Sequence, residues 1–148
     1  MEHFVSLFRE IQPKFSRLYS RILTRADLTL PQYALLLELI QSLPNPVPMT
    51  YVSKKLYVTK PAVTSLVDRL EKNRFLKRLD NPEDRRVFLL EIQPKGRRVV
   101  RKTQGHLLKL LLSTVARLSP KEKNTVRKFY EALSKNLDEA LRQHIRKP

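Results

Sequence analysis

The stretch NPEDRRVF, residues 81–88, holds the side chains best suited to meeting a polyanion. Asn81 and Pro82 give a turn signal, and the carboxylate of Asp84 comes directly before the guanidinium groups of Arg85 and Arg86. Guanidinium groups pair readily with phosphates and with base edges, so the segment indicates contact with nucleic acid. The alternative is that both arginines are solvated charges that deter edge pairing at the tip of a hairpin.

A second group of polar side chains lies on one face of the segment TKPAVTSLVDRLEKN, which reads as a helix capped by Thr59. Short hydroxyls and cations mix near its amino end, a combination that can meet base edges and phosphates together. The outward face of this helix carries Lys60, Pro61, Thr64, Ser65, Asp68, Arg69 and Lys72. The opposite, inward stripe is Ala62, Val63, Leu66, Val67 and Leu70.

The net charge supports a polyanionic partner, but it does not show which part of the chain would bind that partner. The chain carries 30 Lys and Arg against 14 Asp and Glu, a formal charge of +16. Residues 94–148 hold most of the excess, with fifteen basic and four acidic residues, although no recognition motif lies there. This distribution keeps two alternatives open: a nonspecific architectural nucleic-acid binder, and a Lys-rich surface that serves solubility.

Other chemistries find little support. The chain has no cysteine, which excludes disulfides, thiolate metal sites and cysteine-based redox control, and His3, His106 and His144 are too scattered to indicate a metal site. There is no Gly-rich phosphate loop and no convincing Ser, His, Asp arrangement, so we expect neither an enzyme nor a cofactor. No apolar run approaches 18 residues and the amino terminus is charged, so we expect a cytoplasmic protein without a membrane partner.

The elements that must position these residues are mostly helical. Apolar residues spaced by three and four at the amino terminus predict a first helix with a seam for a partner helix. Pro13 predicts a kink, or a helix that begins later. Thr29 and Gln32 form a capping box for a helix within Leu28–Leu43, which the segment PNPVP ends, and Thr50 is expected to cap the next short helix.

Two apolar runs, Phe75–Leu79 and Val87–Ile92, flank the turn and predict a β-hairpin. Helical patterns return from Pro94, and Ser119 with Glu122 forms a second capping box before the last helix. Two short helices and a hairpin make a winged helix-turn-helix, expected at residues 29–93, flanked by helical dimerisation regions at 1–28 and 94–148. The fold is therefore predicted to be mainly α with a small β-hairpin wing.

Apolar stripes on the terminal helices predict a homodimer, which would place two recognition helices about 34 Å apart on one face of DNA. The alternative is that the first helix supplies an intramolecular core stripe. The residues expected at the dimer contact are Phe4, Phe8, Ile11, Phe15, Leu133, Leu137, Leu141 and Ile145.

The order of these segments, LTLPQYALL, VSKKLYVTKPAVTSLVDRLEK and FLKRLDNPEDRRVFLLEIQPKGR between long helices, resembles the MarR family of transcriptional regulators over nearly the whole chain. The most specific element is Asp84, Arg85 and Arg86 before VFLLEI. The resemblance implies that Arg86 enters the minor groove, that Asp84 helps to fix it, and that Arg85 shares either role. It also implies a major-groove helix within Lys60–Asn73 and a repressor that responds to a small-molecule effector. The residues of this segment expected to contact DNA are Thr59, Lys60, Pro61, Thr64, Ser65 and Arg69.

By the same resemblance, the effector would bind in a crevice between the dimerisation helices and the winged module. Tyr19, Tyr33, His106 and Phe15 are candidates to line it, although helical spacing favours a core role for them. Three positions depart from the family pattern: Tyr57 and Arg74 stand where the family often has Gly, and Gln93 replaces a Thr cap. Each non-Gly residue must avoid or adopt left-handed backbone geometry.

Overall fold

The computed structural model of the protein describes residues 2–145, and within them it confirms the expected mainly helical architecture with a small wing. The elements are α1 (Glu2–Thr24), α2 (Leu30–Gln41), β1 (Val47–Pro48), α3 (Met49–Lys55), α4 (Lys60–Lys72), β2 (Leu76–Leu79), β3 (Leu89–Ile92), α5 (Pro94–Val115) and α6 (Pro120–Ile145).

The hydrophobic core lies almost entirely inside the winged module. Leu35 and Leu36 of α2 are fully buried against Val52 of α3, Val67 of α4 and Leu90 of β3. The flanking helices contribute only their module-facing ends, through Leu23 of α1 and Val100 of α5. Helix α4, the expected recognition helix, is thus held on a packed base of apolar side chains.

The sheet has three strands in the order β1-β3-β2, all antiparallel, rather than the two of the expected hairpin. The sequence indicated only that the segment PNPVP ends α2, but Val47 and Pro48 of this segment pair with Leu90 and Leu89. Proline is tolerated there because β1 is an edge strand, where a missing N–H donor costs little. Both hairpin strands are shorter than expected, since Val87 and Phe88 belong to the wing loop.

Helix starts follow the expected caps in three of four places. The Thr29–Gln32 capping box, the Thr59 cap and the Ser119–Glu122 box are all confirmed by their hydrogen bonds. The expectation for Thr50 was wrong: α3 begins at Met49 after Pro48, and no side chain caps it. Its start is instead set by the sheet, because the Met49 N–H donates to the Phe88 carbonyl at 3.1 Å.

Three helix ends close through a left-handed residue that is not glycine: Asp27 (φ 54°), Tyr57 (φ 53°) and Arg74 (φ 59°). Each is followed by the long backbone hydrogen bond of a Schellman motif. The Val58 N–H, for example, donates to the Ser53 carbonyl at 3.1 Å. Of the two expected alternatives, Tyr57 and Arg74 therefore adopt left-handed geometry rather than avoid it. Gln93 precedes α5 without a side-chain capping bond, as its weak capping ability predicts.

The terminal helices leave their apolar faces uncovered. Helix α1 runs through Pro13 without interruption from Glu2, so the expectation of a later start was wrong. Phe4 is 72% exposed and Phe8 63%, and Ile11 and Phe15 are also exposed, which contradicts an intramolecular core role for this seam. On α6, Leu137 and Leu141 are exposed and Leu133 is half-buried, whereas the side chain of Ile145 lies outside the described residues.

Candidate nucleic-acid interface

A groove of about 520 Å³ separates the amino half of α4 from the base of the wing. It brings together Lys60 and Thr64 of the expected recognition helix with Arg86 of the wing loop. Its remaining lining residues are Met49, Thr50, Val63, Arg78, Val87 and Phe88. Two of the segments expected to contact DNA are therefore adjacent across one concave surface.

The amino end of α4 presents its polar side chains to solvent. The Thr59 hydroxyl accepts from the Ala62 N–H at 3.4 Å, and the Thr64 hydroxyl donates to the Lys60 carbonyl at 3.1 Å. Pro61 and Ser65 are exposed beside them. Ala62 was expected to face inward but is exposed, because the buried stripe runs through Val63, Val67 and Leu70 and leaves Ala62 at its edge.

The wing loop is ordered by Asp84 through backbone contacts. Its carboxylate accepts from the Arg86 backbone N–H at 2.9 Å, and its carbonyl accepts from the Val87 N–H at 3.0 Å. In the part of the chain that the structure describes, no ion pair engages the guanidinium of Arg85 or Arg86, and both residues are exposed. Asp84 therefore holds the loop while leaving both cations available.

Sequence reasoning missed Arg78, which joins the wing to α4. Its guanidinium forms ion pairs with Asp68 and Glu71, while its side chain is only 21% exposed. Desolvation works against the charged form, but the hydrogen bonds to Asp68 and Glu71 outweigh it and raise the pKa of Arg78. The signal was present as two carboxylates three residues apart on α4, followed by an arginine on the next strand.

Arg69 lies apart from the groove. It lines a polar cavity of about 530 Å³ on the side of the α1–α2 connection, with Asp27, Thr29 and Lys72 among its neighbours. Asp68 and Glu71 could have paired with it, but Arg78 occupies both. Within residues 2–145 no carboxylate pairs with Arg69, so its charge is free even though it does not face Lys60 and Thr64.

A smaller cavity, about 220 Å³, lies between α1 and α5. The His106 ring reaches it, and its Nδ1 lies 2.7 Å from the Lys102 carbonyl; since a carbonyl only accepts, Nδ1 is the donor of this hydrogen bond. Tyr33 is buried in the core and Tyr19 packs against it, whereas Phe15 and His106 are exposed, contrary to a core role. Cationic and apolar residues share the lining: Ile22, Arg25, Ala26, Val99, Lys102, Thr103 and His106.

Among the described residues, no group of three or more His, Cys, Asp or Glu is placed so that it could hold a metal ion. Over the same residues, no helix has both the length and the apolar character needed to cross a membrane.

Comparisons with known proteins agree with this geometry. The model of the MarR family matches residues 26–87, the segment that contains the groove. The uncharacterized HTH-type transcriptional regulator YhbI of Bacillus subtilis is 25% identical over 127 residues, covering 86% of this chain and 81% of YhbI.

Among solved structures, a MarR family protein from Bacillus stearothermophilus has a TM-score of 0.74 at 21% identity, covering 92% of this chain and 94% of the other. A DNA complex of Staphylococcus aureus MepR has a TM-score of 0.65 at 20% identity, covering 86% and 98%. MepR bound to ethidium bromide has a TM-score of 0.68 at 21% identity, covering 90% and 96%.

Proposed function

We propose that the chain, whose residues 26–87 match the model of the MarR family, is a homodimeric, ligand-responsive repressor of that family and recognises a pseudo-palindromic operator. Helix α4 lies in the major groove and Arg86 enters the adjacent minor groove. The observation that carries this proposal is the groove that brings Lys60, Thr64 and Arg86 onto one surface. A dimer bound over a promoter would exclude RNA polymerase, which is the proposed basis of repression.

The roles of the remaining polar residues follow from their positions. Pro61 and Ser65 are exposed in the first turns of α4, where base edges are within reach of short side chains. Thr59 and Arg69 lie toward the ends of that helix, where phosphate contacts fix the register of a protein on DNA. The exposed and unpaired Arg85 serves as a second cation of the wing tip.

Dimerisation is proposed from the exposure of the apolar faces of α1 and α6. Phe4 and Phe8 are large aromatic side chains left more than half exposed, and patches of this kind mark protein interfaces. Sedimentation of wild-type protein should give a dimer, whereas Phe8→Glu should shift it toward monomer because the interface would bury an unpaired charge. Leu30→Glu, at an exposed leucine of α2, is the matched control and should leave the dimer intact.

The operator proposal is tested by selecting duplexes from a random pool with wild-type protein at physiological salt. We expect enrichment of a site with two-fold symmetry and discrimination over random DNA on the order of 10³ or more. Uniform binding to all duplexes would overturn the proposal.

The competing function is a nonspecific architectural binder, which the basic excess of residues 94–148 favours. Such a protein would lose affinity steeply with salt and show no preference among sequences. Measuring affinity for selected and random duplexes between about 50 and 200 mM salt, a span over which counterion release changes affinity strongly, separates the two functions. A specific regulator keeps a difference between the duplexes at every salt concentration.

We assign effector binding to the cavity between α1 and α5. Arg25 and Lys102 are cations in its lining, so the cavity suits a small organic anion. A protein of this fold can bind a small molecule, since MepR has been solved with ethidium bromide. A panel of small organic acids should release DNA from wild-type protein, and Lys102→Gln should weaken that response without weakening DNA binding. A panel that releases no DNA would remove the effector from the proposal.

A further inference from the structure

The hydroxyl of Tyr57, in the turn between α3 and α4, donates to the Asp138 carboxylate of α6 at 3.2 Å. The two residues are 81 positions apart in the chain, and the bond is partly buried. It therefore connects the turn that precedes the recognition helix with a helix of the proposed dimerisation region. A hydrogen bond to a charged group in a partly buried setting is among the stronger kinds in proteins.

We infer that the Tyr57–Asp138 hydrogen bond positions the recognition helix relative to the dimer interface and so sets the spacing between half-sites that the protein accepts. The inference rests on the proposed dimeric, operator-binding function and adds two positioning residues to it. Neither Tyr57 nor Asp138 is assigned a contact with DNA.

Backbone geometry favours a role for Tyr57 beyond closing a helix. Its φ of 53° places a bulky aromatic residue in the left-handed region, which glycine occupies without steric cost. A residue held in such geometry persists when other contacts stabilise it, and such residues concentrate at functional positions. Glycine would close α3 equally well, but it could not reach Asp138.

The path from Tyr57 to the DNA-facing side chains is short. Val58 follows Tyr57, and Thr59 then caps α4 through the Ala62 N–H, so a shift of Tyr57 moves the amino end of the recognition helix. Lys60 and Thr64, which line the groove, lie in the first turns after that cap.

The path from Asp138 to the dimer partner is equally short. Asp138 is half-buried, and it lies beside Leu137 and within one turn of Leu141, both exposed on α6. A partner subunit that packs on those leucines would fix the position of α6 and, through Asp138, that of Tyr57. The distance between the two recognition helices of a dimer sets the spacing of the half-sites that it binds. A small displacement of each helix therefore changes the half-site spacing that the protein prefers.

The test compares the affinities of wild-type protein and variants for three duplexes: the selected operator, and versions with its half-sites moved one base pair closer or farther apart. Tyr57→Phe keeps the ring and the left-handed backbone but removes the donor. Asp138→Ala removes the acceptor, and Asp138→Asn keeps an oxygen that can accept. Tyr130→Phe removes the hydroxyl of an exposed tyrosine on the same helix and is the matched control.

We expect Tyr57→Phe and Asp138→Ala each to reduce the ratio of affinities between the selected and shifted operators by about fivefold, the lower end of typical coupling between sites. The double variant should lose no more than either single variant, because both remove one interaction. Tyr130→Phe should retain the wild-type ratio, and Asp138→Asn, which keeps an acceptor but loses its charge, should give a ratio between those of wild type and Asp138→Ala.

An equal loss of affinity on all three duplexes would assign the pair to general stability and overturn the inference, as would an unchanged ratio or additive losses in the double variant. These outcomes leave the operator proposal standing. If wild-type protein bound all duplexes with the same affinity, the operator proposal would be wrong, and the inference that rests on it would be wrong as well.

Discussion

The carboxylate of Glu71 on α4 accepts hydrogen bonds from both the backbone N–H of Arg78, at 2.8 Å, and its guanidinium. This double contact ties the recognition helix to the first long strand of the wing. Asp68, one turn earlier on α4, pairs with the same guanidinium. The distance between the helix face and the wing base is therefore fixed by side-chain chemistry as well as by the core beneath them.

Removing Arg78 should cost both stability and DNA affinity. Arg78→Met leaves Asp68 and Glu71 without their partner, so we expect the free energy of unfolding to fall by about 1–3 kcal/mol. DNA affinity should fall too, since two unneutralised carboxylates would face phosphates. Denaturant titration and equilibrium DNA binding measure the two effects.

The neighbouring Lys77 provides the control for Arg78. It pairs with Glu91 across the strands at 2.9 Å, but both side chains are substantially exposed, so Lys77→Met should cost no more than about 1 kcal/mol. Equal effects of the two variants would show that Arg78 contributes only as a surface charge.

Arg86→Ala should weaken binding to the selected operator by about 1–3 kcal/mol and relax its preference for narrow, A·T-rich minor groove. The physical reason is the loss of an exposed cation that Asp84 leaves unpaired. Arg117→Ala, at an exposed arginine between α5 and α6, removes the same charge away from the groove and should change affinity much less. Equal losses of DNA affinity in the two variants would show that Arg86 contributes only through the overall positive charge of the protein.

Gly96→Ala should destabilise the fold, because an added Cβ would lie 2.3 Å from the Phe75 carbonyl oxygen and 2.9 Å from the Ile92 side chain. Relieving that overlap must move α5 away from the base of the hairpin, at a cost of about 1–3 kcal/mol. Gly105→Ala is the internal control. It meets no atom within 4 Å, and it should stabilise α5 by about 0.5–1 kcal/mol. Thermal unfolding of both variants measures this difference in stability. A Gly96→Ala protein as stable as the wild type would contradict the prediction.

Acid should weaken the cap of α6. The Ser119 hydroxyl and backbone N–H both donate to the Glu122 carboxylate and lower its pKa from 4.5. A lowered folded-state pKa stabilises the protein above pH 4.5, and that contribution is lost as pH falls through the lowered value. The stability difference between wild type and Glu122→Gln should therefore shrink on acidification below pH 4.5, as melting curves along a pH series would reveal. If this stability difference did not change with pH, the ionised carboxylate of Glu122 would not be the source of the stabilisation.

Local chemistry predicted the helix order, three of the four caps and the hairpin, because each depends on residues within one turn. The third strand could not be found this way, since Val47 and Pro48 are recognisable as a strand only once Leu89 and Leu90 lie beside them. The same limit hid the contacts of Arg78 and of Tyr57, whose partners are distant in sequence or on another element. Periodicity placed Val63, Val67 and Leu70 in the core, but it could not decide the edge position of Ala62.

The left-handed residues at three helix ends have a consequence for the unfolded chain. Only two glycines occur in 148 residues, and neither closes a helix, since Asp27, Tyr57 and Arg74 do so instead. A chain poor in glycine and containing ten prolines samples fewer conformations when unfolded, so less configurational entropy is lost on folding. The strain at the helix ends raises the free energy of the folded state, while the same choice of residues raises that of the unfolded state, and the two effects oppose each other.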